Sequence, residues 1–170
     1  AACTTVTTTA QDKSETLATF YLHRGIAYRE LRDFERAIRD FDQAIKLDAN
    51  LAAAMNERGL AYAAKGETDR AVEDFDQAIR SNPKDAVAHN NRGLAYRNKG
   101  ETDTAINNYD QAIAISPDFA LAYYNRGNAY YDKRDYDRAI TDYNQALNIN
   151  PTKQLASYHR GVVHYPRHEY

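Results

Sequence analysis

Residues 86–119, AVAHNNRGLAYRNKGETDTAINNYDQAIAISPDF, contain two amphipathic helices joined by a turn. Val87, Leu94 and Ala95 fall on one helical face among polar neighbours, as a half-buried helix requires. Lys99-Gly100-Glu101-Thr102 interrupts that face, with Thr102 placed to cap the next helix. Ala105, Ile106, Tyr109, Ala112 and Ile113 then form a second apolar stripe. Ser116-Pro117 ends it, because proline lacks the N–H that would continue the ladder and restricts the residue before it. The stretch predicts two helices of about 14 residues each.

The same unit recurs along the chain. Gly25, Gly59, Gly93, Gly127 and Gly161 stand 34 residues apart, each preceded by an arginine: Arg24, Arg58, Arg92, Arg126 and Arg160. Ala37, Ala71, Ala105 and Ala139 keep the same beat, as do Phe41, Phe75, Tyr109 and Tyr143. Ala44, Ala78, Ala112 and Ala146 form a further series, and Pro83, Pro117 and Pro151 another. The small residues let paired helices approach closely, and the rings fill the space beside them. One such pair buries too little apolar area to be stable, so neighbouring pairs must cover one another.

This pattern resembles the tetratricopeptide repeat family. One repeat shows it in Tyr123, Gly127, Tyr130, Ala139, Tyr143, Ala146 and Pro151. The resemblance covers about nine-tenths of the chain. It divides the sequence into an N-terminal tail, residues 1–15, and a repeat domain, residues 16–170. Full repeats occupy 18–51, 52–85, 86–119 and 120–153, and a partial fifth occupies 154–170. The implied fold is all-α, a right-handed superhelix of antiparallel helix pairs with a concave groove. The family's leucine before the glycine is arginine in every repeat here. That arginine is expected to lay its stem on the helix and pair with a nearby acid, Asp74 or Asp76 in the case of Arg58; a basic ladder along the groove is the alternative.

The resemblance implies a protein- or peptide-binding scaffold whose groove is lined by the first helix of each pair. Helical spacing then selects Thr19, Leu22, Ile26 and Arg29 in repeat one, and Ala53, Asn56, Leu60 and Ala63 in repeat two. Repeat three supplies Val87, Asn90, Leu94 and Arg97, and repeat four Leu121, Tyr124, Asn128 and Tyr131. The partial repeat adds Leu155, Tyr158, Val162 and Tyr165. Asn91 and Asn125 form a short amide series one residue further along, resembling two rungs of the asparagine ladder with which some family members hold extended peptides. Asparagine offers the donor and acceptor that a peptide backbone needs, and tyrosine offers contact area at small entropic cost. The tyrosines place the main contact toward the C-terminal half. Members that clamp a terminal carboxylate use lysine where this chain has Leu22, Asn56, Leu121 and Leu155, which argues against that ligand.

Composition agrees with a binding role. The chain has 170 residues, 43% of them apolar and 27% charged, with a formal net charge of −2. No basic excess attracts nucleic acid, and no apolar run approaches the ~20 residues of a membrane-spanning helix. Cys3 is the only cysteine, so no internal disulfide forms. His164 and His168 have a metal-compatible spacing, but Pro166 between them spoils the helix that would present them. No nucleophile–base pair or phosphate loop is legible. The repeated Asp-Gln-Ala-Ile runs at 42–45, 76–79 and 110–113 read as helix surface plus core rather than paired catalytic carboxylates. The expectation is therefore no enzyme, no cofactor and no metal. A self-assembling repeat protein and a regulatory fragment of a larger protein are the alternative functions. Apolar Leu155, Tyr158, Val162, Val163 and Tyr165 in the partial repeat predict self-association at that end. Ala1-Ala2-Cys3 resembles the end of a bacterial lipoprotein signal, and Thr8-Thr9-Ala10 a secretory cleavage border. The compartment is cytoplasmic or, on either of those readings, periplasmic or membrane-anchored.

Overall fold

A computed structural model describes residues 10–151, with side chains from Lys13 onward. The partial fifth repeat lies outside the described residues. So do Tyr158 and the self-association expected of that segment.

All regular structure among the described residues is helical, and the chain divides into two units, Ala1–Pro83 and Lys84–Tyr170. The first unit holds α1 (Ala10–Glu30), α2 (Phe34–Leu47), α3 (Ala52–Ala64) and α4 (Thr68–Ser81). The second holds α5 (Ala86–Asn98), α6 (Thr102–Ile115), α7 (Ala120–Asp132) and α8 (Tyr136–Ile149). In each unit consecutive helices fold back as pairs, and the second helix of the first pair packs on the first helix of the next. Helix α1 begins at Ala10, inside the stretch that the sequence suggests is a tail.

The pairing follows from the glycine and ring series. A Cβ built on Gly25 would lie 2.6 Å from Cε1 of Phe41, and one on Gly59 2.7 Å from Cε1 of Phe75. The same clash recurs in the second unit, where Gly93 meets Tyr109 at 2.7 Å and Gly127 meets Tyr143 at 2.6 Å. Each ring is buried, flanked by alanines such as Ala37 and Ala44 or Ala105 and Ala112 that are fully buried too. Leu22, Ala37, Phe41, Ala44, Ala54 and Ala61 make one core cluster of the first unit, and Ile106, Tyr109, Ala105 and Ala129 one of the second.

The turns inside the pairs come in two chemical versions. Residues 32, 66, 100 and 134 all take positive φ: Gly66 and Gly100 at 80°, Arg32 at 60° and Arg134 at 62°. The next residue is the N-cap of the second helix. Asp33 and Asp135 accept from the backbone N–H groups of Arg36 and Arg138, at 3.1 and 3.2 Å. Glu67 and Glu101 hold the same place without a side-chain cap bond, because the extra methylene moves the carboxylate past the N–H it would accept. Glycine is thus combined with the poorer cap, and arginine with the better one. Thr102, expected to cap α6, is instead its first residue, one place after the N-cap Glu101.

In the four described repeats the arginine before the 34-residue-spaced glycine is a lateral tie. Arg24 Nε and Nη2 donate to the two oxygens of Asp40 at 2.6 and 2.7 Å. Arg58 forks in the same way onto Asp74, and Arg126 onto Asp142. The partner of Arg58 in its own repeat is therefore Asp74, not Asp76. Repeat three has Asn108 at the equivalent place, accepting from Arg92 Nε at 2.6 Å. Arg58 Nη1 also reaches back to Asp42 on α2, and Arg126 Nη1 to Asp110 on α6, at 2.5 and 2.6 Å. Each of these two arginines thus joins consecutive helix pairs. Ion pairing with their aspartates raises the pKa of both guanidiniums further above the ordinary value, so they stay charged. The acid-pairing expectation holds for these arginines.

Candidate functional site

The expected groove residues sort by depth. In the first unit Asn56 is buried in α3 and Leu60 half-buried, while Arg29 on α1 donates to Glu57 on α3 at 2.8 Å. In the second unit, Asn90 and Asn125 are buried, and Asn125 Nδ2 donates to Asn90 Oδ1 at 2.9 Å. Asn90 Nδ2 in turn approaches Asn91 Oδ1 at 3.4 Å. This amide chain fastens α5 to α7. Asn125 is expected to be a ladder rung facing a ligand, yet its N–H group is engaged inside the protein. Buried amides satisfy one another in this way because an unpartnered one costs ~1–3 kcal/mol.

What the second unit leaves at its surface is a patch on α5 and α7. Leu94, Leu121 and Tyr131 are exposed, and Asn91, Arg97, Tyr124 and Asn128 half-buried. Arg97 Nε donates to Asp132 at 2.6 Å, which ties the C-terminal ends of the two helices together. That pairing raises the Arg97 pKa. Asn128 Oδ1 accepts from the Tyr143 hydroxyl at 2.8 Å, and its Nδ2 group retains two donor hydrogens. Tyr124 packs on Tyr143 with ring centroids 6.0 Å apart, and Tyr131 meets Tyr136 edge-on at 5.4 Å. The Tyr143 hydroxyl is pushed well above its ordinary pKa, chiefly by burial. It is therefore a neutral donor at any physiological pH.

Sequence reasoning missed three participants: Asp132, Tyr143 and Tyr109. Asp132 lies one repeat plus one residue beyond Arg97, a spacing that would have signalled a contact between equivalent helices. Tyr143 and Tyr109 read as core rings, and their rings are buried. Only the Tyr143 hydroxyl reaches a patch residue, by donating to Asn128. Among the described residues no group of three metal-ligating side chains converges, and no helix is long and apolar enough to cross a membrane. The surface offers apolar contact, ring faces and amide donors, which is recognition chemistry.

Comparison with known proteins agrees with this architecture. Profiles of the tetratricopeptide repeat match residues 22–86, 75–107 and 120–153, and a profile described as TPR repeat matches 93–133. Among solved structures, MamA is 30% identical, with a TM-score of 0.72 over 84% of each chain. PilF of Pseudomonas aeruginosa, at 18% identity, superposes with a TM-score of 0.77 over 91% of this chain and 73% of its own. The first TPR domain of Spaghetti (RPAP3), solved with the HSP90 peptide SRMEEVD, is 24% identical with a TM-score of 0.63, over 68% of this chain and 93% of its own. No curated protein sequence matches. The 34-residue period, the glycine–ring crossings and these matches place the chain in the tetratricopeptide repeat family.

Proposed function

We propose that this chain is a protein- or peptide-binding scaffold, that it catalyses nothing, and that its principal contact surface is the α5–α7 patch. The observation that supports this most is the exposure of Leu94, Leu121 and Tyr131 on the helices that carry the half-buried Asn128. Large apolar side chains on a helix face gain from cover, and the neighbouring amide supplies direction to a peptide backbone. The surface lies on helices pinned by the Asn125–Asn90 and Arg97–Asp132 bonds, so it is organised before a ligand arrives.

Panning a random peptide library on the full chain tests the proposal. Selected peptides should bind the wild type and lose affinity for Leu121→Ala and Tyr131→Ala, by about tenfold each. Both residues are exposed, so helicity should be unchanged. Peptides that bind these variants as tightly as the wild type would move the site elsewhere.

A further inference from the structure

The two-acid grip of Arg58 and Arg126 makes Arg24 stand out. Arg58 Nε and Nη2 hold Asp74 while Nη1 holds Asp42 on the preceding helix; Arg126 does the same with Asp142 and Asp110. Arg24 holds Asp40 through Nε and Nη2, and among the described residues nothing takes its Nη1. Its side chain is 45% exposed, against 17% and 20% for the other two. The guanidinium lies over the rings of Phe20 and Tyr21, at 5.5 and 5.3 Å. Around it the face of α1 is apolar and open. Leu17, Phe20 and Leu31 are all exposed, and Phe20, at 57%, occupies the position of the fully buried Ala54 on α3 and Ala122 on α7. In those helices the face is covered by α2 and α6.

We propose that this face of α1 docks an amphipathic helix of a partner protein, one presenting a carboxylate with aliphatic residues four places before and three places after it. The specification comes from the helices that fill the equivalent place inside the chain. Helix α2 offers Ile38, Asp42 and Ile45 to the pair after it, and α6 offers Ile106, Asp110 and Ile113. The carboxylate takes the vacant Nη1 of Arg24, and the aliphatic side chains cover Phe20 and Leu31.

Neither stretch flanking the described residues carries this pattern. Residues 1–9 contain no acid, and Glu169, the one acid in 152–170, has Tyr165 rather than an aliphatic residue four places before it. A second copy fits no better. Asp42 and Asp110 are bound, Asp76 is engaged as well, and the equivalent residue of α8 is Asn144. Two α1 faces meeting about a two-fold axis would bring Arg24 against Arg24.

A fluorescein-labelled peptide of residues 102–119, stapled between positions 107 and 111, is a direct probe. Both of those residues are exposed in α6, so the staple leaves the packing face free. Fluorescence anisotropy with the full chain should show saturable binding. Arg24→Gln, and the peptide's own Asp110→Asn change, should each weaken it about tenfold, and together little more than either alone. Phe20→Lys leaves the Arg24–Asp40 pair in place and should also abolish binding, with an unchanged circular dichroism spectrum. Absence of binding to the wild type would overturn the proposal. So would equal binding to Phe20→Lys, or wild-type dimers that Phe20→Lys dissociates.

Discussion

Gly127 sits against the ring of Tyr143 so closely that a methyl group at 127 would come within 2.6 Å of Cε1 and 3.3 Å of the Ala139 carbonyl. Alanine normally stabilises a helix interior by about 1 kcal/mol over glycine. Here overpacking reverses the sign, and Gly127→Ala should lose about 1–3 kcal/mol. Gly93→Ala should behave alike, because Tyr109 lies as near. Urea unfolding followed by circular dichroism measures both. A gain in stability at either position would show that the helices are not in contact there.

Tyr109 and Tyr143 occupy equivalent places yet should respond oppositely to phenylalanine. The Tyr143 hydroxyl donates to Asn128, whereas the buried Tyr109 hydroxyl has no hydrogen-bond partner. Leu94 stands where the fourth repeat has Asn128. Tyr109→Phe should leave stability unchanged or raise it by up to about 1 kcal/mol, since it removes a desolvated group that gains nothing in return. Tyr143→Phe should cost about 1 kcal/mol. Equal effects in chemical denaturation would contradict this difference.

The turn chemistry predicts two stabilising changes. Arg134 adopts φ 62°, which a residue with a Cβ tolerates at a cost of about 1–2 kcal/mol. Arg134→Gly should recover most of that. Glu101→Asp should add about 0.5–1 kcal/mol by giving α6 the side-chain cap that α8 has in Asp135. The gains should add, because the turns are separate. A fall in melting temperature for either variant would contradict this reading of the turns.

The capping aspartates also set an acid limb. The backbone and side chain of Arg36 hold the Asp33 carboxyl below its ordinary pKa, and the side chain and backbone of Arg138 do so for Asp135. A carboxylate with a lowered folded pKa contributes stability above its unfolded pKa, near 4. That contribution is lost as pH falls through the folded value. Asparagine still caps a helix but does not titrate in this range. The Asp33→Asn, Asp135→Asn double variant should therefore show a shallower loss of stability between about pH 5 and pH 2 than the wild type. Superimposable acid limbs would rule these caps out as its source.

Much of the fold was legible in the sequence because the period forces it. Glycines recurring every 34 residues beside rings recurring in step can satisfy one another only at a helix crossing. The arginine before the glycine was readable as an acid partner for the same reason in repeats one, two and four, since Asp40, Asp74 and Asp142 keep the beat, while repeat three has Asn108 there. The surface was less legible. Asn125 and Tyr124 are adjacent in sequence and both polar, yet the first is engaged beneath the surface and the second packs on Tyr143. A half-turn of helix decides which side chain a ligand can touch, and spacing alone does not fix helix rotation to that precision. The cap at Thr102 was misplaced by one residue because Glu101 holds the N-cap backbone geometry without the side-chain bond that usually marks it.

The most direct test of the binding role is a heteronuclear NMR titration of the full chain with a library-selected peptide. The Asn128 side-chain amide and the backbone amides of Leu94, Leu121 and Tyr131 should shift together and saturate at one affinity. Shifts confined to α2, α4, α6 and α8, with those four groups unmoved, would contradict the assignment of the binding surface.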